Sequence, residues 1–252
     1  SKKGYKVGLL DLDIYGPSLP IILGINEQPE MTDNKTLVPL DIYGLKVMSF
    51  GFISGNDTPV IWRGPLVSRM TEQFFKDVEW GDLDYLILDL PPGTGDVQLT
   101  LTQKLRMSGA IIVTTPQDIA LSDVRKGADM FKKVKTPILG VVENMSGLII
   151  SGTVKDLNGN NINGGAITTD FSSNSEINSN GEFEMNLDLF KKGGGLSESE
   201  RLDIPLLGQV PISNDIVSAT DNGEPLIRVK PDHKASKIYN DIIDKMVSIL
   251  DQ

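Results

Sequence analysis

Cysteine is absent from the 252 residues, and histidine occurs once. The chain therefore forms no disulfide, has no catalytic thiol and offers no cysteine ligand to zinc or to an iron–sulfur cluster. A histidine-rich metal site is excluded as well. Any resident metal is expected to be a hard cation on oxygen ligands, such as Mg²⁺. Positive charge is in deficit: Lys+Arg number 24 against 34 Asp+Glu, a formal net charge of −10. That balance argues against nucleic acid or an anionic membrane as an electrostatic partner. No apolar run approaches the roughly 18–20 residues of a membrane span, and no leader of the charged–apolar–small kind opens the chain. A cytoplasmic protein is expected. Ser1 stands first and a strand-like run starts within a few residues, so a fragment or a trimmed chain is also expected.

What is present is an ordinary globular balance, with 39% hydrophobic and 23% charged residues, enough for a real core. Short Val/Ile/Leu-rich runs lie at Lys6–Leu12, Leu45–Phe50, Tyr85–Leu90, Ala110–Thr114, Ile138–Glu143 and Leu206–Val210. Their length and composition suit strands covered on both faces. Amphipathic stretches alternate with them. Pro65–Val78 has Pro in its first turn and Leu66, Met70, Phe74 and Val78 at i+4 spacing. Leu121–Val134 and Lys234–Leu250 have similar faces. Alternation of this kind predicts a doubly wound, mostly parallel α/β sheet with helices on both sides.

Residues 151–187 break the pattern. They hold 5 Gly, 8 Asn and 5 Ser, with the turn pairs Asn158-Gly159 and Asn180-Gly181. Phe183, Met185, Leu187 and Leu189 alternate with polar residues, as in a half-buried strand. An inserted pair of β-hairpins is expected. It divides the chain into a core region 1–150, the insertion 151–187 and a return to the core over 188–252.

Three strand ends carry candidate chemistry. Leu10-Asp11-Leu12-Asp13 sets two carboxylates at i and i+2, on one side of a strand. They lie at the carboxyl edge, where doubly wound sheets bind ligands. Tyr85-Leu-Ile-Leu-Asp89 has the form of a Walker B strand, whose Asp serves Mg²⁺ beside a nucleotide's phosphates. The following Pro91-Pro-Gly-Thr-Gly95 forms a tight loop whose backbone N–H groups suit a γ-phosphate. Ile138–Glu143 leads into Asn144, whose amide donates and accepts at once, as the adenine edge requires. His233, after Pro231-Asp232, reads as a surface or helix-capping residue.

The strings Asp11-Leu-Asp-Ile-Tyr-Gly-Pro-Ser18, Trp62-Arg-Gly-Pro65, Leu88-Asp-Leu-Pro-Pro-Gly-Thr-Gly-Asp96, Thr114-Thr-Pro-Gln-Asp118 and Val142-Glu-Asn-Met-Ser146 closely resemble the Mrp/ApbC-type P-loop ATPases. These are iron–sulfur cluster carriers related to MinD and ParA. Gly193-Gly-Gly195 and Pro205-Leu-Leu-Gly-Gln-Val-Pro211 resemble that family's C-terminal part. The resemblance implies an ATP-binding, ATP-hydrolysing homodimer that uses Mg²⁺ and passes clusters to apo-protein clients. It assigns the water-orienting role to Asp13 and the waters of Mg²⁺ to Asp11 and Asp89. Gly93 and Gly95 match the γ-phosphate sensor, Asn144 the adenine reader, and Pro211 the loop that packs on the base. Trp62, Arg63 and Gln117 fall in family strings without an assigned role.

Two departures stand against the resemblance. No Gly-Lys dipeptide occurs anywhere, so the family's deviant Walker A loop, with its lysine and Mg²⁺-binding hydroxyl, is missing. A strand–loop–helix unit of roughly 30 residues is expected to precede this chain. Its loss is expected to leave a gap in the sheet, poor stability and no ATP hydrolysis. The family's Cys-x-x-Cys pair is also missing, and the 151–187 insertion stands in its place. That segment weakly resembles part of a carboxypeptidase-regulatory-like β-sandwich. Cluster handling would then need other ligands or a partner's thiols. The alternative is a MinD/ParA-like nucleotide-gated binding module with no cluster chemistry. An inert pseudo-enzyme is disfavoured by the presence of Asp11, Asp13 and Asp89 together.

Overall fold

Apolar side chains on both sides of a short run can be buried only if the strand is covered twice. The computed structural model satisfies this. It describes residues 1–13, 16–54, 64–93, 96–170, 174–190 and 192–251. Trp62, Arg63 and Gly95 lie outside the described residues.

The chain forms two compact units, one of residues 1–107 with 218–229 and one of residues 108–217 with 230–252. In the first, β1 (Val7–Asp11), α1 (Leu19–Ile22), β2 (Leu40–Ile42), β3 (Leu45–Ser49), α2 (Phe50–Ser54), α3 (Gly64–Lys76), β4 (Tyr85–Asp89) and α4 (Asp96–Lys104) follow in order. The sheet runs β2-β3-β1-β4. β1 is parallel to β3 and β4, and β2 returns antiparallel on β3. Alternation along β1 and β3 divides the core. Leu10 and Met48, cross-strand partners, join Phe50, Phe74 and Leu101 in one cluster. Leu9 and Val47, the next pair, join Leu19, Leu23 and Phe52 in another. The Phe50 and Phe74 rings meet edge-on at 4.8 Å, a favoured aromatic geometry.

The second unit holds β5 (Ala110–Thr114), α5 (Asp118–Lys133), β6 (Ile138–Thr153), β7 (Ala166–Thr168), β8 (Asn174–Glu176), β9 (Glu182–Leu187), α6 (Gly194–Leu202) and β10 (Leu206–Ile212). α7 (Asn214–Asp221) crosses the division, α8 (Leu226–Val229) belongs to the first unit, and α9 (Lys234–Leu250) closes the second. Its sheet runs β10-β6-β5, all parallel, with β9 antiparallel on β6. Val142, Leu207, Val210 and Ile242 form the core beneath α9.

Among the described residues β4 bonds only to β1, and β5 only to β6, so each is an end strand. Ile87 on β4 and Val113 on β5 are 41% and 59% exposed, unusual for branched apolar side chains at mid-strand.

The Asn/Gly-rich segment is built as hairpins. β6 continues ten residues past Glu143, and its last six pair with β9, from Leu148–Leu187 to Thr153–Glu182. β7 and β8 form a second hairpin between them. Met185 and Leu187 are buried and Phe183 half-buried, as the alternation predicts, while Leu189 falls beyond the strand and is exposed. His233 caps α9, its Nδ1 accepting the Ala235 N–H at 3.1 Å.

Candidate functional sites

In the first unit the carboxyl ends of β1 and β4 bring two acids together. Asp11 and Asp89 are direct cross-strand partners, and Leu12 N–H donates to the Asp89 carbonyl at 2.9 Å. Asp11 is 2% exposed. Its Oδ1 accepts the Asp13 N–H at 2.9 Å and its Oδ2 the Ser49 hydroxyl at 2.8 Å. Ser49 Oγ in turn accepts the Gly51 N–H. Asp13 Oδ1 accepts the Gly16 N–H at 3.3 Å. Burial pushes the Asp11 carboxyl up, and the bonds from Asp13 and Ser49 oppose it only in part. Asp89 is also pushed up, first by the protein around it, then by the charges of Asp11 and Asp13. Among the described residues no ion pair neutralises Asp11 or Asp89.

Such a cluster gains from a cation. Yet no group of three or more His, Cys, Asp or Glu among the described residues is placed to hold a metal ion by itself. The donor set thus fits a hydrated hard cation, held through its waters, and does not make a closed protein cage. Gly93 follows with φ 94° and open space around its Cα. In α4, Gln98 Nε2 donates to the Pro91 carbonyl, and its buried Oε1 has no partner among the described residues. Nothing in the sequence marks Gln98, since an Asp-Val-Gln helix start carries no distinctive signal.

The second unit contains a half-open cavity of about 200 Å³. Pro211 lines it, as do Glu143, Met145, Gln209, Asn186 and Asp188. Asn144 is not among its lining residues. Its Oδ1 accepts the N–H of Met145, which takes φ 56°. Register places Asn144 beside Val210, one residue from Pro211. The structure thus sets the two predicted base-binding positions on neighbouring strands, but only Pro211 lines the cavity.

Glu143 was not singled out by sequence. It is 1% exposed and ties three segments together. Gly195 N–H donates to its Oε2 at 2.5 Å and Gln209 Nε2 to its Oε1 at 2.8 Å. The glycine run explains itself here. A Cβ at Gly195 would stand 2.7 Å from Glu143 Cβ, and one at Gly194 would stand 2.7 Å from the Pro116 carbonyl oxygen. Only glycine lets α6 approach both strand ends this closely. Gln117 precedes α5 as its cap residue, without a side-chain cap bond.

Parallel strands alternating with helices, with acids at the ends of two of them, are the parts of an α/β protein of the doubly wound kind. The family model described as "ParA: NUBPL iron-transfer P-loop NTPase" matches residues 1–186 and 173–247. The chain belongs to this family. An "iron-sulfur cluster carrier protein" of Pseudomonas fragi is 40% identical over 96% of this chain and 75% of its own length. A protein of the same description from Aquifex aeolicus is 36% identical over the whole chain but only 61% of its own length. The chain thus spans about three fifths to three quarters of these relatives. Among solved structures, a nucleotide-binding protein of Archaeoglobus fulgidus in complex with ADP shares 31% identity, with a TM-score of 0.64, over 89% of this chain and 76% of its own. The MinD cell division ATPase of Pyrococcus furiosus, at 18% identity and TM-score 0.63, covers 98% of this chain and 88% of its own, and shares the fold.

Proposed function

We propose that this chain is the nucleotide-handling part of an iron–sulfur cluster carrier of the Mrp type, acting as a homodimer with ATP and serving apo-protein clients. The observation that carries the proposal is the cross-strand pairing of Asp11 with Asp89. Two adjacent carboxylates raised in pKa by burial are costly unless a cation is used there. Asp11 and Asp89 would hold the waters of Mg²⁺, which when bound neutralises phosphate charge. Asp13 would orient a water for in-line attack, and the Gly93 and Gly95 N–H groups would face the terminal phosphate. Asn144 and Pro211 would flank the base. The names of the relatives supply the cargo, and the chain's own chemistry limits how it is held. With no cysteine and no three-residue ligand group among the described residues, the cluster does not fit ligands of this chain. As cargo it would need thiols from a partner.

The absence of cysteine favours a second reading, a MinD/ParA-like module gated by nucleotide without cluster chemistry. Reconstitution with iron, sulfide and a small thiol separates the two. Visible cluster absorbance that co-elutes with the protein supports the carrier. Nucleotide-dependent self-association with no such absorbance under any condition supports the gated module.

A further inference from the structure

The sequence holds four Asn-Gly pairs: Asn158-Gly159, Asn163-Gly164, Asn180-Gly181 and Asn222-Gly223. The glycine nitrogen of such a pair, with no Cβ beside it, can attack the asparagine side-chain carbonyl and close a five-membered imide. The local chemistry is the same in all four, so the fold decides which one reacts. Closure needs a glycine N–H released from hydrogen bonding and a backbone free to turn toward the side chain. Gly181 and Gly223 are buried. Gly181 N–H donates to the Asn178 carbonyl at 3.0 Å, and a Cβ on Gly181 would stand 2.9 Å from Asn161 Cβ. Gly223 N–H donates to the Thr220 carbonyl at 3.0 Å, and a Cβ there would stand 2.4 Å from Gly24 Cα. Gly159 is exposed, but its N–H donates to the Asp156 carbonyl at 3.0 Å, and the Asn158 N–H donates to Asp156 Oδ1 at 2.9 Å. Asn163-Gly164 differs from all three. Both residues are exposed, and the space around the Gly164 Cα is open. Among the described residues no hydrogen bond engages the Gly164 N–H. The flanks are tethered: Ile162 N–H donates to the Val154 carbonyl and Ile177 N–H to the Gly165 carbonyl, each at 2.9 Å. Freedom to turn is thus confined to the two residues between.

We infer that Asn163 is a site of spontaneous covalent modification, deamidating through an imide with Gly164 while the fold protects Asn180 and Asn222. The Gly164 nitrogen gives its proton to water and bonds to Asn163 Cγ. The Cγ–Nδ2 bond breaks and ammonia leaves. Water then opens the ring at either carbonyl, giving aspartate where the new N–Cγ bond breaks and isoaspartate where the original peptide bond breaks. Nothing is oxidised or reduced. Each event adds one negative charge to a chain already at −10. The isoaspartyl product also routes the backbone through Cβ, lengthening by one carbon the tethered span that leads into β7.

The full chain, its fold checked by circular dichroism, is incubated at mildly alkaline pH, where more of the glycine nitrogen is deprotonated. Peptide mapping by mass spectrometry follows each of the four asparagines, and chromatography separates aspartyl from isoaspartyl forms. Asn163 is expected to convert at least about fivefold faster than Asn180 and Asn222, with Asn158 between them. The same incubation in urea removes the fold, and the four rates are expected to converge to within about threefold. Conversion of Asn180 or Asn222 as fast as Asn163 in the folded chain overturns the inference. So does a lead for Asn163 that persists undiminished in urea, because local sequence and not the fold would then set it. Asn163→Gln is expected to remove the fast phase of isoaspartate formation and leave the other three rates as they were. A fast phase that survives this substitution also overturns the inference.

Discussion

Asp11 and Asp89 stand side by side at the ends of two parallel strands, the first almost fully buried and the second reaching solvent. Both carboxyls are held above the ordinary range, chiefly by burial. An acid whose folded pKa is raised binds protons more tightly when folded, so stability falls as pH rises from the ordinary carboxylate range through the folded value. Asp89→Asn removes one of the two charges. It is expected to raise the thermal midpoint at neutral pH by about 1–3 °C and to flatten its fall across that window. Thermal melts of both proteins between pH 4 and about 8 check this.

Glu198 behaves in the opposite sense. It is fully buried on α6, bonded by Arg201 at 2.6–3.0 Å and by Arg125 Nε at 3.2 Å. Burial alone would push its carboxyl up, but the bonds from Arg201 and then Arg125 outweigh that and hold it below the usual value. Its contribution is therefore present above the unfolded glutamate pKa and lost as pH falls through the folded one. Glu198→Gln is expected to cost about 1–3 kcal/mol at pH 7 and to remove part of the acid limb of the stability curve. Urea titrations at several pH values measure both.

Gly195→Ala tests the close approach of α6 to β6. The added Cβ meets Glu143 Cβ at 2.7 Å and Oε2 at 3.1 Å. Overpacking of that kind costs about 1–3 kcal/mol. Gln209 is expected to lose its fixed orientation in the same variant, because Glu143 must shift. Denaturant midpoints report the first effect and side-chain amide resonances the second.

No Gly-Lys dipeptide occurs in the chain, so no phosphate-loop lysine stabilises charge on the leaving phosphate. The 252 residues are expected to show no ATP turnover above a buffer blank. Turnover that disappears in Asp13→Ala would contradict this.

Much of the architecture was legible because buried parallel strands announce themselves. Val7–Asp11, Leu45–Ser49, Tyr85–Asp89 and Ala110–Thr114 fall within the apolar runs to a residue or two. Asp11 and Asp89 were each legible as acids at strand ends, but the sequence paired Asp11 with Asp13, and the side-by-side placement of Asp11 and Asp89 comes from the register of β1 on β4. The ten-residue continuation of β6 past Glu143 was not legible, because Asn144-Met-Ser-Gly looks like a strand stop. In the fold Met145 takes a left-handed turn and pairing resumes on β9, beginning with Leu148 on Leu187. Glu143 and Gln209 were missed for a related reason. Their importance lies in one cross-strand hydrogen bond, which no local pattern encodes. The short α1, α2 and α8 helices are held by packing and lack a sequence period of their own.

In the proposed function the acid pair serves a nucleotide through a hydrated Mg²⁺. Calorimetric titration of the chain with ADP, with and without Mg²⁺, tests it most directly, alongside Asp89→Asn. Binding that strengthens with Mg²⁺, and about tenfold less so in Asp89→Asn, is the predicted result. Absence of ADP binding, or binding indifferent to both Mg²⁺ and Asp89, would contradict it.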